Sequence, residues 1–212
     1  MSDTAGPAGA RDPSGGPGRE AVAARIRERR VVAILRCAEP ARVGAEVIEG
    51  GVDVVEIPLN VPGSLSAIAS LVARFPDALV GAGTVMSAAE AVAALDAGAR
   101  FLLSPVLRPE VVTVAHEAGA AVVPGAFTPT EIDACMRAGA DLVKLFPADR
   151  LVPADLRVLL AALPEARLLP TGGITTANAA DWLAAGAVAL GVGGALTREP
   201  ARAGELLAAL AG

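Results

Sequence analysis

The feature that most limits the fold of this chain is a junction that returns along almost the whole sequence. A helical stretch ends in small residues with a glycine, and a short aliphatic strand follows it. The glycine suits the left-handed conformation that closes a helix. The clearest copies begin at five glycines: Gly51 (VDVVEIPL), Gly98 (ARFLLSP), Gly119 (AAVVPG), Gly139 (ADLVKLFP) and Gly186 (AVALGVG). Two more copies carry a proline instead, at Phe75-Pro76 before ALVGAGT and at Leu163-Pro164 before ARLLPTGG.

These junctions lie roughly 20–25 residues apart, the length of one strand and one helix. A further strand at Val31–Arg36 brings the number of predicted strands to eight. Their nearly continuous aliphatic character is typical of parallel strands that are buried on both faces. The pattern predicts an α/β fold, a single-domain (β/α)8 TIM barrel over residues 19–212. A helix from about Arg19 to Arg29 is expected to cover the bottom of the barrel, and residues 1–18 to form a disordered tail.

The main competing architecture is an open, doubly wound sheet that binds a dinucleotide. GAGTVM at Gly81 and GVGGAL at Gly191 both lack the third glycine of the dinucleotide fingerprint. No acidic residue ends the following strand where that fingerprint requires one. The barrel is therefore the favoured prediction.

Composition excludes several classes of function. Aromatic residues make up 2 % of the chain and the net charge is −5, which argues against a nucleic-acid partner. The single histidine, His116, is placed in the middle of a helix at Val111–Gly119 and excludes a His-based metal cluster. Cys37 and Cys135 are expected to be reduced thiols of a cytoplasmic protein. The most apolar stretch, Trp182–Thr197, is cut by glycines, so it predicts a helix end, a turn and a strand rather than a membrane span.

One residue points directly to covalent chemistry. Lys144 is the only lysine of the chain, and the other 17 of its 18 basic Lys and Arg residues are arginines. It lies inside an apolar strand, where burial favours the neutral amine that attacks a carbonyl carbon. Arginine cannot take this role because the guanidinium stays charged. A lysine that has survived at a strand end by chance is the alternative.

Two further charged residues lie near strand ends on the same predicted side of the barrel. Glu56 shares a strand face with Val54 and Pro58, and a buried carboxyl could act as a general base. Arg36 ends the first strand, where a guanidinium suits a substrate carboxylate. A structural ion pair between Arg36 and Glu56 is the competing interpretation.

Glycine-rich turns follow the seventh and eighth strands, at Thr171-Gly172-Gly173 and at 191–194. In TIM barrels this pair of loops habitually binds phosphate through backbone N–H groups. Tight packing of a short barrel would also explain the glycines. Thr84 and Pro105 end strands 3 and 4 and are weak signals by themselves.

Taken together, these segments resemble the 2-keto-3-deoxy-6-phosphogluconate (KDPG) / 4-hydroxy-2-oxoglutarate (KHG) aldolase family. The similar segments are VVAILR (31–36), VEIPLNVP (55–62), GAGTV (81–85), SP (104–105), PGAFTPTE (124–131), VKLFPA (143–148), PTGGI (170–174) and GVGGAL (191–196). They stand in the family order and cover the chain from strand 1 to strand 8. VKLFPA, PTGGI and GAGT form a specific combination.

The resemblance implies a cytoplasmic homotrimer of TIM barrels with no metal and no cofactor, acting on a phosphorylated keto acid of the Entner–Doudoroff pathway. It implies that Lys144 forms the Schiff base and that Glu56 is the general acid and base. It further suggests roles in binding the substrate: Arg36 and Thr84 for the carboxylate, Pro105 and Phe146 as walls of the pyruvyl pocket, Thr171 beside the phosphate turns, and the amides of Gly172, Gly173, Gly193 and Gly194 for the phosphate. The implied reaction cleaves KDPG to pyruvate and glyceraldehyde 3-phosphate, and 4-hydroxy-2-oxoglutarate is a possible second substrate.

Two positions depart from the family pattern. Many relatives carry a serine at the position of Gly194, and some gluconate-type relatives carry an arginine at the position of Asn60. The segment EIPLN resembles a sister branch that acts on the C4 epimer, 2-keto-3-deoxy-6-phosphogalactonate, whereas Thr171 and VKLFPA resemble the gluconate branch. A non-covalent, phosphate-binding isomerase that uses Glu56 as its base and a non-catalytic phosphosugar sensor are alternatives from other function classes.

Overall fold

The computed structural model describes residues 18–211, and the predicted tail lies outside this range except for Gly18. The strands are β1 Val31–Ile34, β2 Val54–Pro58, β3 Leu79–Gly83, β4 Phe101–Leu103, β5 Ala121–Val123, β6 Gly125–Ala126, β7 Val143–Leu145, β8 Leu168–Pro170 and β9 Leu190–Val192. The helices are α1 Arg19–Arg29, α2 Pro40–Glu49, α3 Ser64–Arg74, α4 Ala88–Asp96, α5 Pro109–Glu117, α6 Pro129–Arg137, α7 Pro153–Ala162, α8 Ala179–Ala184, α9 Gly194–Arg198 and α10 Ala203–Ala211. Short 3-10 helices lie at Ala148–Arg150 and Pro200–Arg202.

The strands form the predicted TIM barrel, in which every pair is parallel. Six strands follow the order β5-β4-β3-β2-β1-β9 and three follow the order β6-β7-β8. β5 and β6 occupy one barrel position that is divided at Pro124, whose carbonyl accepts the N–H of Lys144 at 2.9 Å. A parallel bridge between Thr171 and Gly191 joins β8 to β9 and closes the ring.

The observed strands differ from the predicted ones in two details. The run AAVVPG after Gly119 was predicted as one strand, but it is divided into β5 and β6 because Pro124 has no N–H to donate to a ladder. The first strand ends at Ile34 instead of Arg36, so the guanidinium of Arg36 projects from a loop beyond the strand end.

The starts of α4 and α6 are set by side-chain caps. Glu90 donates its backbone N–H to the hydroxyl of Ser87 at 3.2 Å. Thr128 and Glu131 form a reciprocal capping box, with Pro129 as the first helical residue. These caps fix the points where the chain leaves the upper rim of the barrel and turns into the outer helices.

The placement of His116 in the middle of a helix was wrong. The helix α5 ends at Glu117, so His116 lies in its last turn. Its Nε2 atom is 3.9 Å from a carboxylate oxygen of Asp141, just before the amino end of β7. Burial lowers the pKa of His116, and the charge of Arg19 acts in the same direction. This histidine is therefore at the opposite end of the barrel from the strand ends discussed below.

Side-chain alternation along the strands separates two apolar clusters. The larger cluster fills the space between the strands and the outer helices, and includes Val55, Val80 and Leu145. The smaller cluster fills the lower half of the barrel interior, where Val32, Val54, Leu79, Phe101, Leu142 and Leu169 meet Val22, Ala23 and Ile26 of α1. The prediction that α1 covers the bottom of the barrel is thus confirmed.

The upper half of the interior has a different character. Among the described residues, the buried polar or charged side chains are Glu56, Ser64, Ser104, Lys144 and Thr171. Glu56 follows the interior residue Val54 by two positions, and Lys144 follows Leu142 in the same way. Two residues along a strand are therefore enough to change the interior side chains from aliphatic to ionisable. This change occurs at the end of the barrel where enzymes of this fold carry their sites.

The stretch 182–197 contains the end of α8, a turn, β9 and most of α9, as the glycine spacing predicted. Over the described residues, no helix combines the length and the apolar character that crossing a bilayer requires.

Candidate active site

A cavity of about 550 Å³ opens at the carboxyl ends of the strands. It brings together all the predicted site residues except one: Arg36, Thr84, Pro105, Lys144, Phe146, Thr171, Gly172, Gly173, Gly193 and Gly194. The exception is Glu56, which is only 1 % exposed and lies in the interior beneath the cavity surface. Segments that are far apart in sequence thus meet at one end of the barrel.

Lys144 occupies the centre of this arrangement. It is 5 % exposed, and β7 pairs it with Gly125 on one side and Leu169 on the other. Its Nζ atom lies 4.9 Å from the centroid of the Phe146 ring, a cation–π distance. Burial lowers the pKa of Lys144, the charge of Glu56 raises it, and the charge of Arg36 lowers it. The strand therefore holds an amine that loses its proton more readily than a lysine in water.

Glu56 is a buried carboxyl with an unpartnered oxygen atom. Its Oε2 atom has no hydrogen-bond partner among the described residues. Burial raises its pKa, while the charges of Lys144 and Arg36 lower it. An unpartnered oxygen of this kind is available to a substrate or a water molecule.

The structure does not support the ion pair between Arg36 and Glu56 that the sequence left open. No salt bridge joins Glu56 to either Arg36 or Lys144 in the part of the chain that the structure describes. Burial is the largest influence on both Glu56 and Lys144, and in each case it favours the neutral form. The pair thus offers a potential acid and a potential nucleophile, with Lys144 at the cavity surface and Glu56 beneath it.

Arg36 is exposed to the cavity and held by two neutral side chains. Its guanidinium donates to Asn60 Oδ1 at 2.9 Å and to Thr84 Oγ1 at 3.2 Å. Thr84 has a φ of 55°, a left-handed conformation that is a genuine outlier for a β-branched residue. Because neither contact neutralises the guanidinium, its charge remains free to attract a carboxylate.

The turn after β8 needs both of its glycines. Gly172 and Gly173 have φ values of 105° and 70°, which side-chain-bearing residues rarely adopt. Asn178 braces the turn, since its Nδ2 donates to the carbonyl of Gly173 at 3.0 Å and its Oδ1 accepts the N–H of Thr175 at 2.8 Å. The turn is a rigid wall of backbone at the cavity edge.

Sequence reasoning missed several residues of the site. Gly83 was quoted only as part of a motif, yet a Cβ atom there would overlap the carboxylate of Glu56. Gly191 makes similar room for the side chain of Thr171. The other cavity residues that were not predicted are Ile34, Ile174, Thr175, Ala195 and Arg198. In the register of β2 and β3, Glu56 pairs with Gly81, and Gly83 lies two residues further along β3. The space that Gly83 leaves for the carboxylate is therefore apparent only once this register is known.

Among the described residues, no group of three His, Cys, Asp or Glu side chains is placed to hold a metal ion. Cys135 is buried, and burial raises the pKa of its thiol to about 11. The ionisable side chains at this site are therefore Arg36, Lys144 and Arg198 at the cavity surface and Glu56 beneath it.

A family model and individual relatives of known name both relate this chain to the same family. The family model for KDPG and KHG aldolase matches residues 22–206. A probable 2-dehydro-3-deoxy-6-phosphogalactonate aldolase of Rhizobium meliloti (strain 1021) is 38 % identical over 84 % of this chain and 87 % of its own length. A 2-dehydro-3-deoxy-phosphogluconate aldolase of Treponema pallidum (strain Nichols) is 34 % identical over 76 % of this chain and 77 % of its own.

Solved structures agree with this result. A 4-hydroxy-2-oxoglutarate/2-dehydro-3-deoxyphosphogluconate aldolase from TTHB1 superposes with a TM-score of 0.78 at 36 % identity, over 89 % of this chain and 98 % of that one. The KDPG aldolase of Legionella pneumophila, captured with pyruvate as a covalent carbinolamine, gives 0.76 at 27 % identity, over 91 % and 97 %. A porous cage designed by fusing symmetric oligomeric domains gives 0.78 at 32 % identity, over 84 % and 71 %.

The contact between Gly83 and Glu56 generates a first prediction. Gly83→Ala places a methyl group where the carboxylate lies, and overpacking of this kind costs about 1–3 kcal/mol of the free energy of unfolding. In a Glu56→Ala background the same methyl group meets vacated space, so most of that cost disappears. Urea unfolding of the two single variants and the double variant measures the coupling.

Gly204→Ala is the matched control, because its nearest neighbour is a backbone oxygen at 3.9 Å and it lies within α10. Its effect should be neutral or stabilising, since alanine favours helices. Equal costs of Gly83→Ala with and without Glu56 would show that the two residues do not share this space.

The single lysine generates a second prediction, because a chain labelled with ¹³C-lysine gives one lysine signal in an NMR titration. The midpoint of Lys144 should lie below its ordinary value of 10.5, mainly because of burial. Glu56→Gln should lower it further by removing a negative charge, and Arg36→Gln should raise it by removing a positive one. A midpoint at or above 10.5, or shifts of the opposite sign, would contradict this description of the site.

Proposed function

Because the chain belongs to the KDPG and KHG aldolase family and is a class I pyruvate aldolase, a lyase, we propose that it cleaves 2-keto-3-deoxy-6-phosphogluconate to pyruvate and glyceraldehyde 3-phosphate. The observation that carries the proposal is Lys144, the only lysine of the chain, buried at the cavity with a lowered pKa. Cleavage of 4-hydroxy-2-oxoglutarate to pyruvate and glyoxylate is part of the same proposal. Family membership sets aside the isomerase and sensor alternatives.

The charges of the cavity define how the substrate would lie. Arg36, supported by Asn60 and Thr84, would bind the C1 carboxylate next to the reacting ketone. Pro105 and Phe146 would wall the pyruvyl part. The backbone of Gly172, Gly173, Gly193 and Gly194 would bind the phosphate, with Thr171 beside it. No step requires a metal or a cofactor.

Covalent activation begins at the amine. Neutral Lys144 attacks the C2 ketone, and a proton passes from nitrogen to oxygen to give a carbinolamine. Protonated Glu56 then donates its proton through water to the departing hydroxyl, which leaves as water, and an iminium ion remains on Lys144. The raised pKa of Glu56 suits this step, because the residue must begin as an acid.

Cleavage uses the same carboxyl in the reverse sense. The Glu56 carboxylate accepts the proton of the C4 hydroxyl, the C3–C4 bond breaks, and its electron pair moves toward the iminium nitrogen. The aldehyde leaves and an enamine remains. Glu56 returns the proton to C3, and water hydrolyses the resulting imine to release pyruvate, leaving the amine free and Glu56 protonated again.

The C4 epimer, 2-keto-3-deoxy-6-phosphogalactonate, is the second candidate substrate. Asn60, which binds Arg36 at 2.9 Å, belongs to the EIPLN segment that resembles the galactonate branch. The Rhizobium relative named for that substrate is 38 % identical to this chain. Thr171, 4 % exposed at the cavity, and the VKLFPA segment favour the gluconate.

Borohydride trapping with pyruvate tests the covalent step. We expect one reduced pyruvyl adduct per chain, located by peptide mass spectrometry at Lys144. Lys144→Arg should form no adduct and lose almost all cleavage activity, because a guanidinium does not form the imine. Arg150→Ala is a control for loss of a nearby exposed cation on the 3-10 helix Ala148–Arg150, and it should keep both properties.

If Lys144→Arg retained cleavage activity, the Schiff-base mechanism would be wrong and a non-covalent mechanism would be favoured. Assaying the same wild-type preparation on the two C4 epimers settles the substrate. We expect the higher kcat/KM with 2-keto-3-deoxy-6-phosphogluconate. A higher kcat/KM with 2-keto-3-deoxy-6-phosphogalactonate would assign the galactonate epimer as the substrate instead.

We also propose that the chain assembles as a homotrimer in the cytoplasm. An apolar groove of about 450 Å³ lies beside the cavity and is lined by Val106, Phe127 and Phe146, which are 41 %, 38 % and 36 % exposed. Exposed apolar side chains that share one groove are typical of a protein interface. The neighbour in the designed cage comes from a fusion of symmetric oligomeric domains, which supports this interpretation.

Phe127→Asp tests the assembly. A charge in the groove would have to be buried without a partner, so the trimer should dissociate to monomers in light scattering coupled to size exclusion. Val158→Asp is the control, because Val158 is 69 % exposed on α7 and does not line the groove. A wild-type monomer, or a Phe127→Asp trimer, would argue against this interface.

A further inference from the structure

Arg198 is a cation of the cavity for which the mechanism above has no use. It lies at the last position of α9 and lines the cavity together with Gly172, Gly173, Gly193 and Gly194. Its neighbour in sequence, Glu199, is paired with Arg202. Within residues 18–211, Arg198 itself has no ion pair. The two glycine turns are thus accompanied by an uncompensated guanidinium.

The position of the guanidinium follows from helix geometry. Arg198 is four residues after Gly194, and helical side chains lean toward the amino end, so the side chain lies back over the first turn. A Cβ atom on Gly194 would be 2.9 Å from Nη1 of Arg198. The absence of a side chain at Gly194 is therefore what leaves room for the guanidinium over the turn.

The charges along the cavity have one sign. Its lining contains two guanidinium groups, Arg36 and Arg198, together with the amine of Lys144, and no carboxylate among the residues that form its surface. Arg36 is directed toward β2 and β3 by Asn60 and Thr84, whereas Arg198 stands beside the turns after β8 and β9. A molecule with an anion at each end would meet a guanidinium at each end.

We propose that Arg198 binds the phosphate of the substrate and selects phosphorylated over unphosphorylated sugar acids. This inference rests on the proposed aldolase function and adds a charged side chain to a subsite otherwise made of backbone. A guanidinium presents two parallel N–H donors to a phosphate, as a serine hydroxyl at the position of Gly194 could not. Gly194 and Arg198 then act as one unit, in which the first residue is small so that the second can reach the ligand.

The test compares two substrates, 2-keto-3-deoxy-6-phosphogluconate and the same sugar acid without phosphate. Arg198→Ala should lower the ratio of their kcat/KM values by about 10- to 100-fold, the range for a hydrogen-bonded charge. Arg198→Lys should restore part of the ratio. Arg202→Ala is the matched control, because Arg202 is an exposed arginine of the adjoining 3-10 helix that does not line the cavity, and its ratio should equal that of the wild type.

Inorganic phosphate, used as a competitive inhibitor of the phosphorylated substrate, gives a second readout. Its inhibition constant should rise by a similar factor in Arg198→Ala. Gly194→Ala should produce part of the same loss, because its methyl group displaces the guanidinium. In the Arg198→Ala background it should add nothing, so the two changes are expected to be strongly non-additive.

The outcomes separate this inference from the proposed function. If wild-type protein forms no pyruvate adduct, the aldolase mechanism fails whatever Arg198 does. If the adduct forms and Arg198→Ala leaves both the substrate ratio and the phosphate inhibition unchanged, Arg198 has no part in phosphate binding. Additive effects of Gly194→Ala and Arg198→Ala would contradict the claim that they act as one unit.

Discussion

An amine and a carboxyl that are buried in one barrel without pairing impose the main constraint on this structure. Taking an ion out of water costs several kcal/mol, and a direct salt bridge would offset part of that cost. Here Lys144 and Glu56 form no such bridge, and burial is the largest influence on the pKa of each. Both groups are therefore biased toward their neutral forms, which are the forms that attack a ketone and donate a proton. The apolar cluster below them, covered by α1, gives them no polar partner on that side.

The rest of the upper interior is arranged around these two groups. Gly83 leaves space for the carboxyl of Glu56, and Gly191 leaves space for Thr171. The ring of Phe146 packs against the amine of Lys144 and also lines the apolar groove. Rigid backbone turns complete the wall. Small residues on one strand and large or ionisable residues on the next thus produce a site whose parts are set by packing rather than by a direct hydrogen bond between Lys144 and Glu56.

Much of this arrangement could be predicted from the sequence. The repeated glycine junctions located the strands, and the lone lysine and the apolar-strand glutamate pointed to two residues that the structure buries at or beneath the cavity, because these features are local in sequence. The features that the sequence did not predict were details of local backbone geometry and contacts that depend on the register of the strands. The interruption at Pro124 reflects the missing N–H of proline, whereas the fit of Gly83 against Glu56 needs the pairing of β2 with β3. Arg198 could have been found from its spacing to Gly194, but only once α9 was known to begin there.

The use of arginine in place of lysine everywhere except at position 144 has a consequence for the chemical reactivity of the molecule. Its exposed cations are guanidiniums, which do not react with the reagents that acylate primary amines near neutral pH. Apart from the α-amino group, the one side-chain amine of the chain is held inside the barrel with a lowered pKa. Reagents that acylate lysine side chains over the whole surface of ordinary proteins thus have one side-chain target in this chain, and occupancy of the cavity governs whether they reach it.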